Sequence, residues 1–504
     1  MNRRPVLGAL LASAVTALSV LPAAPALAHG GEELGDVATN TRGLQVETSG
    51  EGKGMKFVAN LQYDKSGEAQ NGSDVEFMKV GKREYALAGT LRGGMQIIDI
   101  TDPRAPRRVA VYDCQVTQGD IQVWKNGERI LASYTADGTF GEQGAASQCG
   151  RDLKLGPDAS GTVIVDLTAP RKPRTVSYLH VPLGSHNMTV HPSGKFLYNS
   201  NSDLITSTEP TITIYDISRP ARPKKVQDFP IPFTPTSLGS ESHDITFNAS
   251  GTRAYSAALS QTLILNTKDP RNPKIVSQIV DPTVNVAHQS DPVTLRGKDG
   301  AKRRVLIVTD ERAGAAASLE CPGGGLHLYD ITGAKEKAPE KIGTWFIPAA
   351  TVQDGATCTS HVLRVYPKQK LATIAWYAQG VRVLDISGLL TFQGNPAAVG
   401  VGDGVGIEEV GHYVLPDSDT WSFKTNKIRK DGSFFGYGHD LVRGFDVYKF
   451  TGKTIGNVPA LRPVDLAATA DSSIGGTAVA GGLALVAPML LLGAVARRRT
   501  RGRG

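Results

Sequence analysis

Four histidines offer the most legible chemistry in this chain: His186, His243, His288 and His361. Each stands immediately before a short run that alternates apolar and polar residues, as in Ser242-His243-Asp244-Ile245-Thr246-Phe247. Imidazoles suit zinc, copper or iron, and nearby acids can orient them or serve as general bases. Ser73-Asp74 and Gly119-Asp120 occupy the equivalent entries of two further runs, and His439-Asp440 follows a later one. The spacing matches no local ligand motif, so these residues can act together only if a repeating fold brings them to one place. A plainer role is also open to them, packing and hydrogen bonding between neighbouring repeats.

Such a repeat is present. A β-branched strand ending in Asp, then a Pro-containing turn and a second extended strand, recurs at residues 94–106 (GMQIIDITDPRAP), 161–173 (GTVIVDLTAPRKP), 211–223 (TITIYDISRPARP) and 262–273 (TLILNTKDPRNP). Weaker copies lie at 325–332, 380–387 and 444–450. The anchors Asp99, Asp166, Asp216, Asn266, Asp330, Asp385 and Asp446 are 50 to 67 residues apart, the length of a propeller blade with loop insertions. Asp bonds its own backbone and Pro presets φ, which makes the turn. Two further strands precede each anchor strand; in the fourth unit the four are 244–247, 253–258, 262–265 and 275–279. Four short strands per unit predict a seven-bladed β-propeller over residues 55–450. The last unit lacks an outer strand, and residues 55–63 can supply it, closing the ring from both ends and leaving no open sheet edge.

These strands resemble those of the LVIVD-repeat proteins, as in Val163-Ile164-Val165-Asp166. The resemblance implies a bacterial surface β-propeller and assigns no catalytic residue.

In such a fold the D-to-A and B-to-C connections share one face. The long insertions 137–160, 201–210, 310–324 and 350–359 all fall there, and long loops on a rigid scaffold are where binding concentrates. The four cysteines lie in the same connections, which predicts disulfides Cys114–Cys149 and Cys321–Cys358; no pair has zinc-site spacing. Trp376-Tyr377 and the aromatics of 434–437 fall on B strands and read as core. Asp203 and Asp310-Glu311 read as solvated loop acids. No nucleophile elbow, phosphate loop or nucleotide fingerprint is present.

The ends define the compartment. Arg3-Arg4, an apolar run and Ala26-Leu27-Ala28 read as a signal peptide over 1–28, of the Sec or the twin-arginine type. The mature chain would start at His29, whose amine and imidazole together are a candidate copper ligand. Residues 29–54 form an N-terminal extension, 451–473 a stalk, 474–496 a charge-free span long enough to cross a bilayer, and 497–504 a basic tail that stays cytoplasmic. Of the formal charge of +7, two arginines lie in the signal and five in the tail, so the ectodomain is about neutral and nucleic-acid binding is excluded as a role. The expected protein is a membrane-anchored extracellular propeller that binds a protein or glycan through its long-loop face. The alternative is a metal-dependent extracellular hydrolase or oxidoreductase that uses the histidines.

Overall fold

The computed structural model describes residues 46–63, 68–236, 238–312, 321–348 and 357–452. The signal, His29, the stalk beyond Gly452, the membrane span and the basic tail lie outside the described residues. The described chain folds into seven four-stranded antiparallel units arranged as a β-propeller. The innermost strands are Gly72–Val80, Gln118–Asn126, Asn187–Val190, Asp244–Phe247, Ala287–Arg296, Leu363–Tyr366 and Thr420–Lys424.

The repeat motif explains the blades. In six of the seven blades the anchor side chain at the end of the third strand accepts a hydrogen bond from the backbone N–H two residues on: Thr101 to Asp99 (3.0 Å), Thr168 to Asp166 (3.0 Å), Ser218 to Asp216 (2.9 Å), Lys268 to Asn266 (3.1 Å), Thr332 to Asp330 (2.9 Å) and Ser387 to Asp385 (2.8 Å). The Asp therefore belongs to an Asx turn and needs no catalytic explanation. Every outermost strand also carries a register shift against the third strand, as between Thr175 and Ser177 or Ile264 and Leu265, and such bulges add the twist by which blades fan around an axis.

The ring closes as expected. Met55–Leu61 pairs antiparallel with Gly444–Phe450, from Met55 opposite Phe450 to Leu61 opposite Phe445, and completes the seventh blade. Three features depart from the sequence reading. Glu51–Lys53, assigned to the N-terminal extension, adds a strand to the outer edge of the sixth blade at Ile407–Val414. A segment after the third strand of that blade contributes Val399–Val401, parallel to Glu340–Phe346 of the fifth blade, and Asp403–Gly404, so the two outer edges join in one sheet. His439, expected in a turn, lies within the strand Phe434–Asp440.

Both disulfides join the expected cysteines, Cys114 to Cys149 and Cys321 to Cys358. The first reaches a pair of short helices, Gly141–Ala146 and Gln148–Leu153, within the long insertion of the second blade. The second closes 37 residues, for which loop entropy gives about 3–4 kcal/mol. Exchanging Cys321 and Cys358 together for serine is expected to lower the thermal midpoint by several degrees, and reductant should then produce only the smaller shift due to the remaining bond. An unchanged midpoint would mean that the loop is held by its other contacts.

Candidate functional site

Alternation along each innermost strand sends one set of side chains into the blade core and the other to the central axis. Val75, Ile121 and Met188 are core residues, whereas their neighbours line a channel of about 1240 Å³ bordered by all seven blades. His186, His243 and His361 sit just ahead of these strands and His288 is the second residue of its own, all at one mouth.

All four converge. Successive ring centroids of His186, His243, His288 and His361 are 4.3 Å apart at each step, and every ring is buried. Glu311 reaches between the last two: its Oε2 is 3.8 Å from His288 Nε2 and its Oε1 3.6 Å from His361 Nε2. These separations are long for a hydrogen bond but fit two ligands that each stand about 2 Å from a shared metal. One ligand atom each from His243, His288 and Glu311 lies within 4.8 Å of the others. His186 Nε2 and His243 Nε2 are 3.0 Å apart.

The protonation states suit a ligand set. Burial first, then neighbouring imidazoles, hold His243 and His288 far below the usual histidine range, and burial lowers His361, so these rings are neutral at neutral pH. His361 Nδ1 donates to the Trp421 carbonyl (2.6 Å), which leaves its Nε2 as the lone-pair nitrogen. His186 Nδ1 contacts Asp137 Oδ2 at 3.1 Å. Burial works against the Asp137 charge, but the hydrogen bond and charge of His186, with a hydrogen bond from Ser202, together outweigh it and hold that carboxyl below its ordinary value. Imidazoles oriented by a carboxylate or a carbonyl are the usual outer arrangement of a metal-bound histidine. Nδ1 of His243 and Nδ1 of His288 are buried with no hydrogen-bond partner, a cost that packing alone does not recover.

Strained backbone gathers at the same mouth. Gln118 (φ 75), Leu259 (φ 56) and Tyr377 (φ 47) are non-glycine residues in the left-handed region. Gln118 Nε2 lies 3.4 Å from His186 Nε2, Leu259 forms a bridge with Ala287 beside His288, and Tyr377 donates to Glu311 Oε1 (2.5 Å) with its ring 4.6 Å from His361.

The remaining sequence candidates divide. Trp376, Phe434, Phe435 and Tyr437 are core, but Tyr377, read as core with them, faces the site. Glu311, read as a solvated loop acid, is the acid of the cluster. Asp310 is buried and supports it: its Oδ1 accepts from the N–H groups of Asn285 and Val286 ahead of His288 (3.0 and 2.9 Å), and its carbonyl accepts from Ser360 beside His361 (2.8 Å). His439 takes no part, because its nitrogens meet the Tyr63 hydroxyl (2.6 Å) and the Asp74 carbonyl (3.2 Å). Asp440 accepts from the N–H groups of Asp419, Val442 and Arg443. Asp203 lies in the third-blade loop, where its carbonyl accepts from Thr206 and Ser207.

Below the histidines the channel carries a belt of acids that sequence reasoning saw only at Asp74 and Asp120. Asp74, Asp120 and Asp244 are joined one step deeper by Glu76 and Asp291, with Lys424 paired to Asp74 and Glu76 and Arg364 paired to Glu76. Burial and the neighbouring carboxylates push Asp120 well above the ordinary range and Asp291 to about 7; burial raises Asp244 to about 6. Asp74 and Glu76 are spaced i, i+2 on one innermost strand, whereas Asp120, Asp244 and Asp291 are single acids on theirs, and the set becomes meaningful only once the axial face of each strand is known.

No family model matches the chain, and no curated protein matches it in sequence. Solved structures match it as folds: a β-propeller domain from Myceliophteria thermophila (10% identity, 77% of this chain and 98% of that one, TM-score 0.46), the periplasmic gluconolactonase of Pseudomonas aeruginosa (10%, 68% and 87%, 0.41) and a functionally unknown protein from Desulfotomaculum acetoxidans (13%, 68% and 90%, 0.39). At these identities the likeness is one of fold alone.

Proposed function

We propose that this protein is a metal-dependent enzyme whose transition-metal centre lies at the histidine mouth of the propeller channel. The observation that carries the reading is the cluster itself, in which one ligand atom each of His243, His288 and Glu311 lies within 4.8 Å of the others and the Glu311 carboxylate stands 3.8 Å from His288 Nε2 and 3.6 Å from His361 Nε2. His243, His288, His361 and Glu311 would hold the ion, and His186, braced by Asp137, borders it. An all-nitrogen and oxygen set with no thiolate suits zinc, copper or iron, which would supply Lewis acidity for hydrolysis or electron transfer for oxidation. Tyr377 steadies Glu311, and the ligands face the channel through which a substrate would reach the ion.

The terminal segments support an exported protein tethered to the outer side of a bacterial-type membrane, with the LVIVD-like strands in keeping with a surface propeller. A second reading, a surface module that binds a protein or glycan without chemistry, is favoured by Leu183, Ile205 and Phe233, which stand exposed on the loops of the mouth face.

Elemental analysis of the full-length protein, purified in detergent without chelator or added metal, separates the two. Near-stoichiometric zinc, copper or iron is expected, and its identity selects the reaction to assay. Absence of all three, persisting after incubation with each, would overturn the enzyme reading and leave the binding module.

A further inference from the structure

The near-neutral charge of the folded part hides an uneven distribution. On the mouth face, the B-to-C and D-to-A connections carry twelve acids and five lysines or arginines among the described residues. On the opposite face, the A-to-B and C-to-D connections carry seventeen lysines or arginines and seven acids. The propeller is therefore polarised along its axis, and the histidine mouth is its negative end.

The positive face is built by the repeat itself. In the first four blades the C-to-D connection is seven residues long, and each copy holds the same turn: the N–H of Ala105 donates to the Asp102 carbonyl (3.1 Å), Lys172 to Ala169 (2.8 Å), Arg222 to Arg219 (2.8 Å) and Asn272 to Asp269 (3.2 Å). Proline at the second position of every copy presets φ, so the turn is stiff. Each tip carries exposed positive charge, on Arg104, on Arg171 with Lys172, on Arg222 and on Arg271. A further exposed cation follows the closing proline in all four, at Arg107, Arg174, Lys224 and Lys274. The Asx-turn carboxylates neutralise part of this array, Asp166 through Arg174 (3.5 Å) and Asp216 through Arg271, whereas Lys172, Lys224 and Lys274 form no ion pair among the described residues.

Equivalent turns of neighbouring blades lie on a ring about the axis, so these cations are spread over a face and do not converge on a point. That arrangement suits an extended anionic surface and not a compact anion. The path of the chain says which surface. The last strand, Gly444–Phe450, is a third strand and so runs from the mouth to this face, where the Thr451 N–H donates to the Gly54 carbonyl (3.0 Å). Beyond Gly452 the sequence reaches the apolar run at 474–496 after twenty-one residues. We propose that the face opposite the histidine mouth docks on anionic lipid headgroups, seating the propeller on the membrane with its mouth turned outward. The inference rests on the tethered reading of the chain and is independent of the metal centre. Each lysine or arginine at an anionic bilayer contributes about fivefold in affinity, so several together hold a tethered domain firmly.

The test is lysine footprinting of the full-length protein in nanodiscs of phosphatidylcholine alone or of an equal mixture with phosphatidylglycerol. Acylation of Lys172, Lys224 and Lys274 is followed by mass spectrometry, with Lys154, exposed on the mouth face, as the control. The three turn-face lysines are expected to label at least about threefold more slowly in the anionic discs, the difference disappearing at high salt, while Lys154 labels equally in both. Arg104→Glu, Arg171→Glu and Arg222→Glu together should abolish the difference. Because the lipid comparison uses the unaltered protein, it decides even if that variant fails to fold. Equal labelling of the turn-face lysines in the two discs, or slowing of Lys154 to the same degree, would overturn the proposal; if soluble polyphosphate then slows the turn-face lysines where lipid charge did not, the face takes a polymer instead. Failure of the tether appears separately, as a protein that does not enter neutral discs. Cosedimentation of that protein with anionic and neutral vesicles then tests the face alone: preference for the anionic vesicles upholds the docking, and no preference overturns it.

Discussion

Exchange of His288 for alanine is expected to lower the affinity of the channel mouth for its metal by more than about 100-fold while leaving the propeller folded. The magnitude follows from the ligand shell: loss of an outer partner costs about 10- to 100-fold, and loss of a ligand exceeds that. Tyr377→Phe, which removes only the hydrogen bond that steadies Glu311, is therefore expected within that lower range. The effect on stability separates a ligand from a packing residue. His288 makes ring contacts with His243 and His361 at 4.3 Å, but its Nδ1 is buried without a partner and its ring borders an open channel. Truncation removes packing and also removes an unsatisfied polar atom, and the two effects oppose each other. A thermal melt of chelator-treated protein should accordingly shift little between wild type and variant, whereas isothermal titration with the resident metal should separate them widely. A large loss of stability with unaltered metal binding would make His288 a structural residue and withdraw it from the ligand set.

The fold was legible because its repeat is enforced locally. An Asp or Asn that must accept the N–H two residues on, followed by a proline-set turn, leaves the same signature in six blades whatever else varies, from Asp99 to Asp385. The four histidines were legible for a related reason: each stands where an innermost strand begins, and a propeller brings those points to one mouth. Their acid was not. Glu311 follows the strand Lys302–Asp310 and looks like any charged loop residue, and only the closeness of the fifth and sixth blades turns it toward His288 and His361. Tyr377 was hidden by its backbone, since a left-handed tyrosine reverses the side to which its ring points relative to the strand pattern that made it look like core. The acid belt needed knowledge of which alternate residues face the axis. The strand Glu51–Lys53 and the bridge between the fifth and sixth blades were invisible because short strands at an outer edge carry little apolar pattern: Glu51–Lys53 is exposed throughout, and Val399–Val401 largely so.

The second large effect concerns closure of the ring, and Arg443 is where it concentrates. This residue precedes the last strand, and its guanidinium and the Asp446 carboxylate are both fully buried. Its Nε donates to Asp446 Oδ2 at 2.7 Å and its Nη2 to Asp446 Oδ1 at 3.2 Å, while Nη1 donates to the Glu47 carbonyl at 2.9 Å and to Asp417 Oδ1 at 2.5 Å. The N-terminal strand adds Asn60, whose amide donates to Asp446 Oδ1 (2.8 Å) and to the Arg443 carbonyl (2.9 Å), and Phe57, whose ring centre lies 5.5 Å from the guanidinium carbon. One buried cation therefore ties the chain before the first blade to the chain at the end of the seventh. Arg443→Ala strands the Asp446 charge in a dry interior, a change worth about 3–5 kcal/mol, and the thermal midpoint is expected to fall by about 5 °C. Asp446→Asn in the Arg443→Ala background should recover part of that loss, because the residual damage is an unpaired charge more than a missing contact; the coupling is readable as a double-mutant cycle. If the double variant is no more stable than Arg443→Ala alone, the penalty lies instead in the lost bonds to Glu47 and Asp417, and the ring is held shut by the arginine's reach across the two chain ends and not by its charge pair.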